Sequence, residues 1–419
     1  MSDTREHAVT PAELTGGPLA MVANGHDPAA AHHTTRLRDS VGRVTRRLGA
    51  FGDAETVRET GVWSERFYAL PEDVAMRIVG HPFFGYLWLQ LMQGCARGDR
   101  EFVQTWSHHL ARFLLVPHLT RHPDEPVSMR LPEPTREIRL PGSAFHLAVA
   151  HPVDTVRVSG DGDGVVRDGA VRLPRAFLLG QVTGPLGHTR RHDHLFIAGT
   201  GIEVDSGDPW IHRHLSSMNT KPAVPGYPPP DLAPADLSPE GPGHIDAAFR
   251  LIERCWPELA VEITSYVRLF VPYRSSFHSS FTEACLMGAV FLSEAMWPFS
   301  SRPHTAEHLL HEAAHLRLTL IEELDPLVEA DPEATFSSPV RLDPRPLPGM
   351  LQTAFAFARI AAFHRRAHAV TGEEIHASRQ AETAGQLAQA LRAVEAEQSV
   401  RFTPAGERLW SEMRAEAAA

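Results

Sequence analysis

His311, Glu312 and His315 stand in the spacing H-E-x-x-H within the segment SSRPHTAEHLLHEAAHLRLTLIEELDP. Residues four apart lie one turn apart on one face of a helix, so both imidazoles can reach a single cation. Glu312 lies about a hundred degrees round the helix from His311. It can reach a metal-bound water or ligand without blocking the site. The competing reading is a pair of neutral histidines satisfied inside a core. Two buried imidazoles without partners are costly, so a metal is favoured if the helix is buried. A complete site needs a third ligand. The metzincin extension fails, since Leu318 and Ile321 stand where Gly and His are required. Glu329 and Glu333 have E-x-x-x-E spacing but sit in a Pro-containing stretch close behind His315.

The helix that must carry these residues is legible. Ser301 and Pro303 mark its start and Asp325-Pro326 its end. Leu309, Ala313, Leu316, Leu320 and Leu324 form an apolar stripe, widened by Leu310, Ala314 and Ile321. Such a helix should be largely buried.

The rest of the chain divides by pattern. Residues 1–35 read as a flexible tail without apolar periodicity. Residues 36–130 read as helical, with a break at Gly98-Asp99 between two apolar helices. Residues 137–218 are strand-rich, with a hairpin signal at Asp168-Gly169. DGDG at 161–164 is a turn and not a calcium loop, because Val165 occupies the next acidic position. Residues 219–243 are dense in Pro, a linker or an ordered wrap. Residues 244–419 read as a helical metal-binding region, although the conformation of FTEACLMGAVFLSEAM is left open. The expected class is α+β, mainly helical, with a central strand-rich region. His364 and His368 read as cations near a helix C-terminus. HTRRHDH at 188–194 reads as an exposed turn, with a second metal or carboxylate-binding site as the alternative.

Composition excludes some functions. The 419 residues carry a formal charge of −11, with 43% hydrophobic and 22% charged residues, which is ordinary for a globular chain. No basic block is present to bind phosphates, so nucleic acid is not the expected partner. No apolar run approaches membrane-spanning length, and no membrane partner is expected. Three widely spaced cysteines without C-x-x-C, and an N-terminus lacking an apolar signal-type core, point to a cytoplasmic protein.

Downstream stands FSSPVRLDPRPLPGMLQTAFAFARIAAFHRRAH, residues 336–368. Together with Ala306-Glu307 and His311 to His315, this segment resembles the bacterial HExxH-motif peptide-modification family. The shared pattern continues through Pro339-Val340-Arg341, Asp343, Arg345-Pro346 and Gly349-Met350-Leu351. The resemblance extends over most of residues 75–370, with sharp motifs only at 306–359. It implies a 2-oxoglutarate-dependent Fe(II) dioxygenase that hydroxylates a side-chain β-carbon in a ribosomally synthesised precursor peptide. His311 and His315 would hold iron, with Glu312 orienting a ligand. Arg341 or Arg345 would bind the distal carboxylate of 2-oxoglutarate, a task suited to guanidinium. A structural salt bridge to Asp343 is the other reading of these arginines. The family often has a His after G-x-L, the natural third ligand; here that residue is Gln352. Three alternatives stay open: Gln352 ligates directly or through water, Asp343 or another acid replaces it, or metal is held poorly. The alternative functions are a zinc peptidase with Glu312 as general base, and a catalytically inactive peptide-binding homologue.

Overall fold

The structure is a computed structural model that describes residues 27–122, 124–222, 227–293, 301–329, 335–340, 343–397 and 400–419. The chain is α+β, 55% helical and 18% strand, with mixed sheets. It forms two compact units, Thr34–Phe196 and Ile197–Ala419, the second joined by the segment ending at His33. Helix α1 (Pro28–Leu48) runs through the division. The stretch expected as a tail to residue 35 is therefore helical from Pro28, and Asp27 before it is buried.

The first unit continues with α2 (Ala54–Tyr68), α3 (Glu72–Val79), α4 (Pro82–Arg97), α5 (Arg100–Ser107) and α6 (Leu110–Arg121). Helix α4 starts where Pro82 takes a first-turn position and the His81 ring accepts from the Phe83 amide. It stops at Gly98, whose φ of 70° is left-handed, and Asp99 caps α5 by accepting from the Phe102 amide. This is the expected break. Phe84 stacks on Trp88 at 5.8 Å and meets Phe113 edge-on at 5.4 Å, so the apolar faces of α4 and α6 close on one aromatic core.

The sheet of this unit comprises β1 (Val127–Arg139), β2 (Phe145–Ser159), β3 (Val166–Arg167), β4 (Ala170–Pro174) and β5 (Thr189–Asp193). Its order is β1-β2-β4-β3, with β5 on the N-terminal half of β2. Asp168 and Gly169 turn β3 into β4 with φ of 49° and 74°, as a tight hairpin requires. A short helix, α7 (Arg175–Leu178), follows, and β6 (Leu195–Phe196) ends the unit. In the DGDG turn, Gly164 has φ of 67°, and a Cβ there would lie 2.0 Å from the Leu186 carbonyl oxygen. Only glycine fits, which accounts for the motif without a calcium ion.

HTRRHDH is a strand, not an exposed turn. Its strand β5 pairs antiparallel with β2, placing His192 opposite His146. The His146 and His194 rings bond through Nδ1 and Nε2 at 3.1 Å. Burial, then the Arg139 and His194 charges, holds His146 down to about 4.

The second unit has a mixed sheet, where residues 244–419 were expected to be helical apart from the open segment FTEACLMGAVFLSEAM. Strands β7 (Glu203–Val204), β8 (Ala233–Pro234), β9 (Leu269–Arg274), β10 (Ser280–Thr282) and β11 (Ala289–Ser293) build it. The order is β10-β11-β9-β7, with β8 also on β9. Strands β9 and β11 are parallel and buried along nearly every residue. A strand covered on both faces reads as a continuous apolar run, which periodicity cannot tell from a buried helix. The open segment FTEACLMGAVFLS is thus strand, one 3-10 turn and strand.

The Pro-rich stretch is an ordered wrap in its described part. Asn219 donates to the Leu232 carbonyl and accepts from its amide, and Ala233-Pro234 joins the sheet. Contrary to the expected boundary at residue 218, it and α8 (Pro209–Met218) belong to the second unit. Helices α9 (Gly241–Cys255), α10 (Pro257–Tyr266), α11 (Arg302–Leu324), α12 (Leu347–Thr371), α13 (Glu374–Glu395) and α14 (Pro404–Ala417) complete this unit. Their apolar side chains form one core with the sheet.

Candidate metal centre

Helix α11 carries His311, Glu312 and His315. Ser301 stands in extended conformation at its N-cap position without a side-chain cap bond, Pro303 occupies the first turn and extended Asp325 ends it. Its buried residues, among them Leu309, Leu310, Ala313, Leu316 and Leu318, lie on nearly every side. The core therefore fixes its axis and rotation.

The His311 and His315 rings meet at right angles with their Nε2 atoms 3.0 Å apart. His315 Nδ1 lies 2.9 Å from Gln352 Oε1 on α12. An amide oxygen only accepts, so Nδ1 carries the proton and Nε2 presents its lone pair. The Gln352 amide nitrogen donates to Thr319 Oγ1, and that hydroxyl donates to the His315 carbonyl. A closed loop of hydrogen bonds thus sets the tautomer and tilt of His315. Burial pushes His311 well below its usual range, with the His315 and His308 rings adding to it. Burial also lowers His315, where the Gln352 bond opposes and the nearby Arg345 guanidinium assists. Both rings are neutral at pH 7, the state that can ligate a metal.

Gln352 was one candidate for the third donor. In this geometry its oxygen is on the Nδ1 side of His315, while the two Nε2 atoms face each other on the other side. It is placed to orient the His315 ring, on the side away from the two facing Nε2 atoms. Partners of this kind typically carry tenfold to a hundredfold in metal affinity. Gln352→Ala is expected to weaken metal binding by about that factor, measured by chelator competition, while Gln352→Glu, which retains the acceptor, holds affinity near wild type.

Glu312 points elsewhere. Its Oε1 accepts from Ser280 Oγ on β10 at 2.7 Å, and among the described residues its buried Oε2 has no hydrogen-bond partner. Burial pushes its carboxyl up to about 7, against the hydrogen bonds of Ser280 and Thr282. Among the described residues no other His, Cys, Asp or Glu donor joins the two imidazoles in a ligand cluster. Arg345, on a short strand paired with Thr335–Phe336, lies near enough to act on His315. One of its terminal nitrogens is 3.7 Å from Asp343 Oδ2 and its buried Nε has no hydrogen-bond partner among the described residues. The geometry therefore brings together His311, His315, Gln352 and Arg345, while the Glu312 carboxyl turns to Ser280 on β10. Arg341 and Glu333 lie outside the described residues.

Two polar networks behind α11 escaped the sequence reading. In the first, Arg359 of α12 donates to both oxygens of Glu262 at 2.7 and 2.6 Å. Arg317 of α11 lies 3.9 Å from Glu262 and hydrogen-bonds Asp27. Tyr266 donates to Glu262 and to the Ala313 carbonyl. All of these side chains are buried. In the second, Glu307 accepts from Arg379 of α13 and bonds His364 Nε2 at 3.2 Å, while His364 Nδ1 meets His376 Nδ1 at 2.9 Å. His364, read from sequence as a helix-end cation, is fully buried. Burial raises the Glu307 carboxyl, but the His364 and Arg379 bonds win and hold it at about 2. An acidic residue one turn before the motif was the available signal for this anchor. Nothing in the sequence paired Asp27 with Arg317.

Among the described residues no helix is long and apolar enough to cross a membrane. No protein-family model matches the chain, and no curated protein matches it.

Proposed function

We propose that this protein is an Fe(II)/2-oxoglutarate-dependent dioxygenase that hydroxylates a side-chain β-carbon of a ribosomally synthesised peptide in the cytosol. The observation that carries the reading is the pair of neutral imidazoles, 3.0 Å apart, with a guanidinium acting on one of them. The two Nε2 atoms, joined to each other by a hydrogen bond, would hold one cation between them once that proton is displaced. Bound iron and 2-oxoglutarate would supply oxygen activation, with decarboxylation of the co-substrate to succinate. His311 and His315 hold the metal through Nε2. Gln352 keeps the His315 proton on Nδ1, so the ligating lone pair is always presented. Arg345 is the described guanidinium placed to pair with the co-substrate's distal carboxylate. Phe357, whose ring centre is 6.3 Å from that of His311, gives the site an apolar wall that keeps water away.

One observation favours a second reading. Glu312, with its carboxyl near 7, has the protonation behaviour of a general base in a zinc hydrolase. An anaerobic titration with Fe(II), then 2-oxoglutarate, decides between them. The oxygenase reading expects a visible metal-to-ligand charge-transfer band on adding 2-oxoglutarate. No band removes that reading and leaves zinc hydrolysis or metal-free peptide binding in its place.

A further inference from the structure

A second group of ligating side chains lies in the same unit, away from the H-E-x-x-H helix. His214 projects from α8. Glu283 precedes, and Cys285 sits within, the 3-10 turn (Ala284–Leu286) that joins β10 to β11. One ligand atom from each residue lies within 4.8 Å of the other two. His214 is buried with its ring against Phe291, and Glu283 and Cys285 are half-buried. We propose that His214, Glu283 and Cys285 form a second metal site that takes a thiophilic divalent cation, zinc in the first instance.

The chemistry of the donors selects the metal. A thiolate, an imidazole and a carboxylate suit zinc, whereas calcium and magnesium require oxygen donors throughout. Three protein ligands leave one tetrahedral position for water. A cysteine nucleophile is the competing use of a Cys-His-Glu group. It requires a free thiolate, which the Glu283 carboxylate within 4.8 Å opposes, whereas a bound cation would compensate both anions. A neutral imidazole keeps one N–H and offers its other nitrogen as the ligating lone pair. On binding, the sulfur–hydrogen bond gives way to a sulfur–metal bond and the proton leaves to solvent; nothing is oxidised or reduced. Lys221, the chain's one lysine, is 3.5 Å from Glu283 Oε1. The carboxylate has two oxygens and can serve both cations.

The location gives the site a purpose. Residues 283–285 directly follow β10, whose Ser280 and Thr282 hold the Glu312 carboxylate. A cation here would staple α8 to the β10–β11 turn and fix the strand that positions Glu312.

Cobalt(II) added to the metal-stripped full-length protein tests this. Thiolate ligation gives a sulfur-to-cobalt charge-transfer band in the near ultraviolet. The band should saturate at one equivalent in the His311→Ala/His315→Ala double variant, where the other candidate site is gone; it should disappear in Cys285→Ser and on zinc addition, and weaken at least tenfold in apparent affinity in His214→Gln. It should persist in Cys95→Ser, Cys255→Ser and the His311→Ala/His315→Ala double variant. The histidine pair holds no sulfur, so the band reports this site whatever becomes of the oxygenase reading. Absence of the band in the wild type, or its survival in Cys285→Ser, overturns the proposal. If circular dichroism shows Cys285→Ser misfolded, His214→Gln decides, and unchanged affinity there overturns it.

Discussion

Replacing Glu262 by alanine is expected to lower the unfolding free energy by about 3–5 kcal/mol, the cost of breaking a buried ion pair from one side. Glu262 is fully buried beside Arg317 and Arg359, which are 0% and 1% exposed. Two guanidiniums lose a carboxylate in one step. Asp27 still hydrogen-bonds Arg317. The loss also reaches the site, because Tyr266 donates both to Glu262 and to the Ala313 carbonyl between the two metal-site histidines. Thermal and urea midpoints of wild type, Glu262→Gln and Glu262→Ala give the measurement. Glu262→Gln keeps the shape and one acceptor and should fall between the others. An unchanged midpoint in Glu262→Ala would mean that these charges are not paired in solution.

The second large effect is functional. His311→Ala should abolish both the 2-oxoglutarate charge-transfer band and succinate formation, with a loss well beyond the tenfold to hundredfold expected of Gln352→Ala. Only His315 would remain of the pair, and no other described donor joins it in a cluster. Stability should change little by comparison, since His311 is half-buried and bears no charge at neutral pH. This contrast separates the two variants: Glu262→Ala unfolds the support, and His311→Ala empties the site of a folded protein. Succinate formation unchanged in His311→Ala would remove the oxygenase assignment.

What the sequence revealed follows from how local each feature is. The start and end of α11 were readable because capping residues and prolines act within a few positions. The same holds for the Gly98-Asp99 break and the Asp168-Gly169 hairpin. The pairing of His311 with His315 depends only on helical repeat. By contrast, β9 and β11 are short strands covered on both faces, so their apolar runs carry no alternation. Gln352 stands out in the sequence by position alone; which ring nitrogen of His315 it faces is set by the packing of α12 on α11. His364 was misread because its partners, Glu307 and His376, come from other helices. His214, Glu283 and Cys285 drew no notice, since no short spacing connects them.

The bond between Asp27 and Arg317 joins residues 290 positions apart. Closing a chain loop of that length is entropically costly, so the bond holds only while the second unit is folded as a whole. It ties the residue before α1 to the helix that bears the histidine pair. The placement of the two imidazoles therefore draws on a side chain remote from them in sequence.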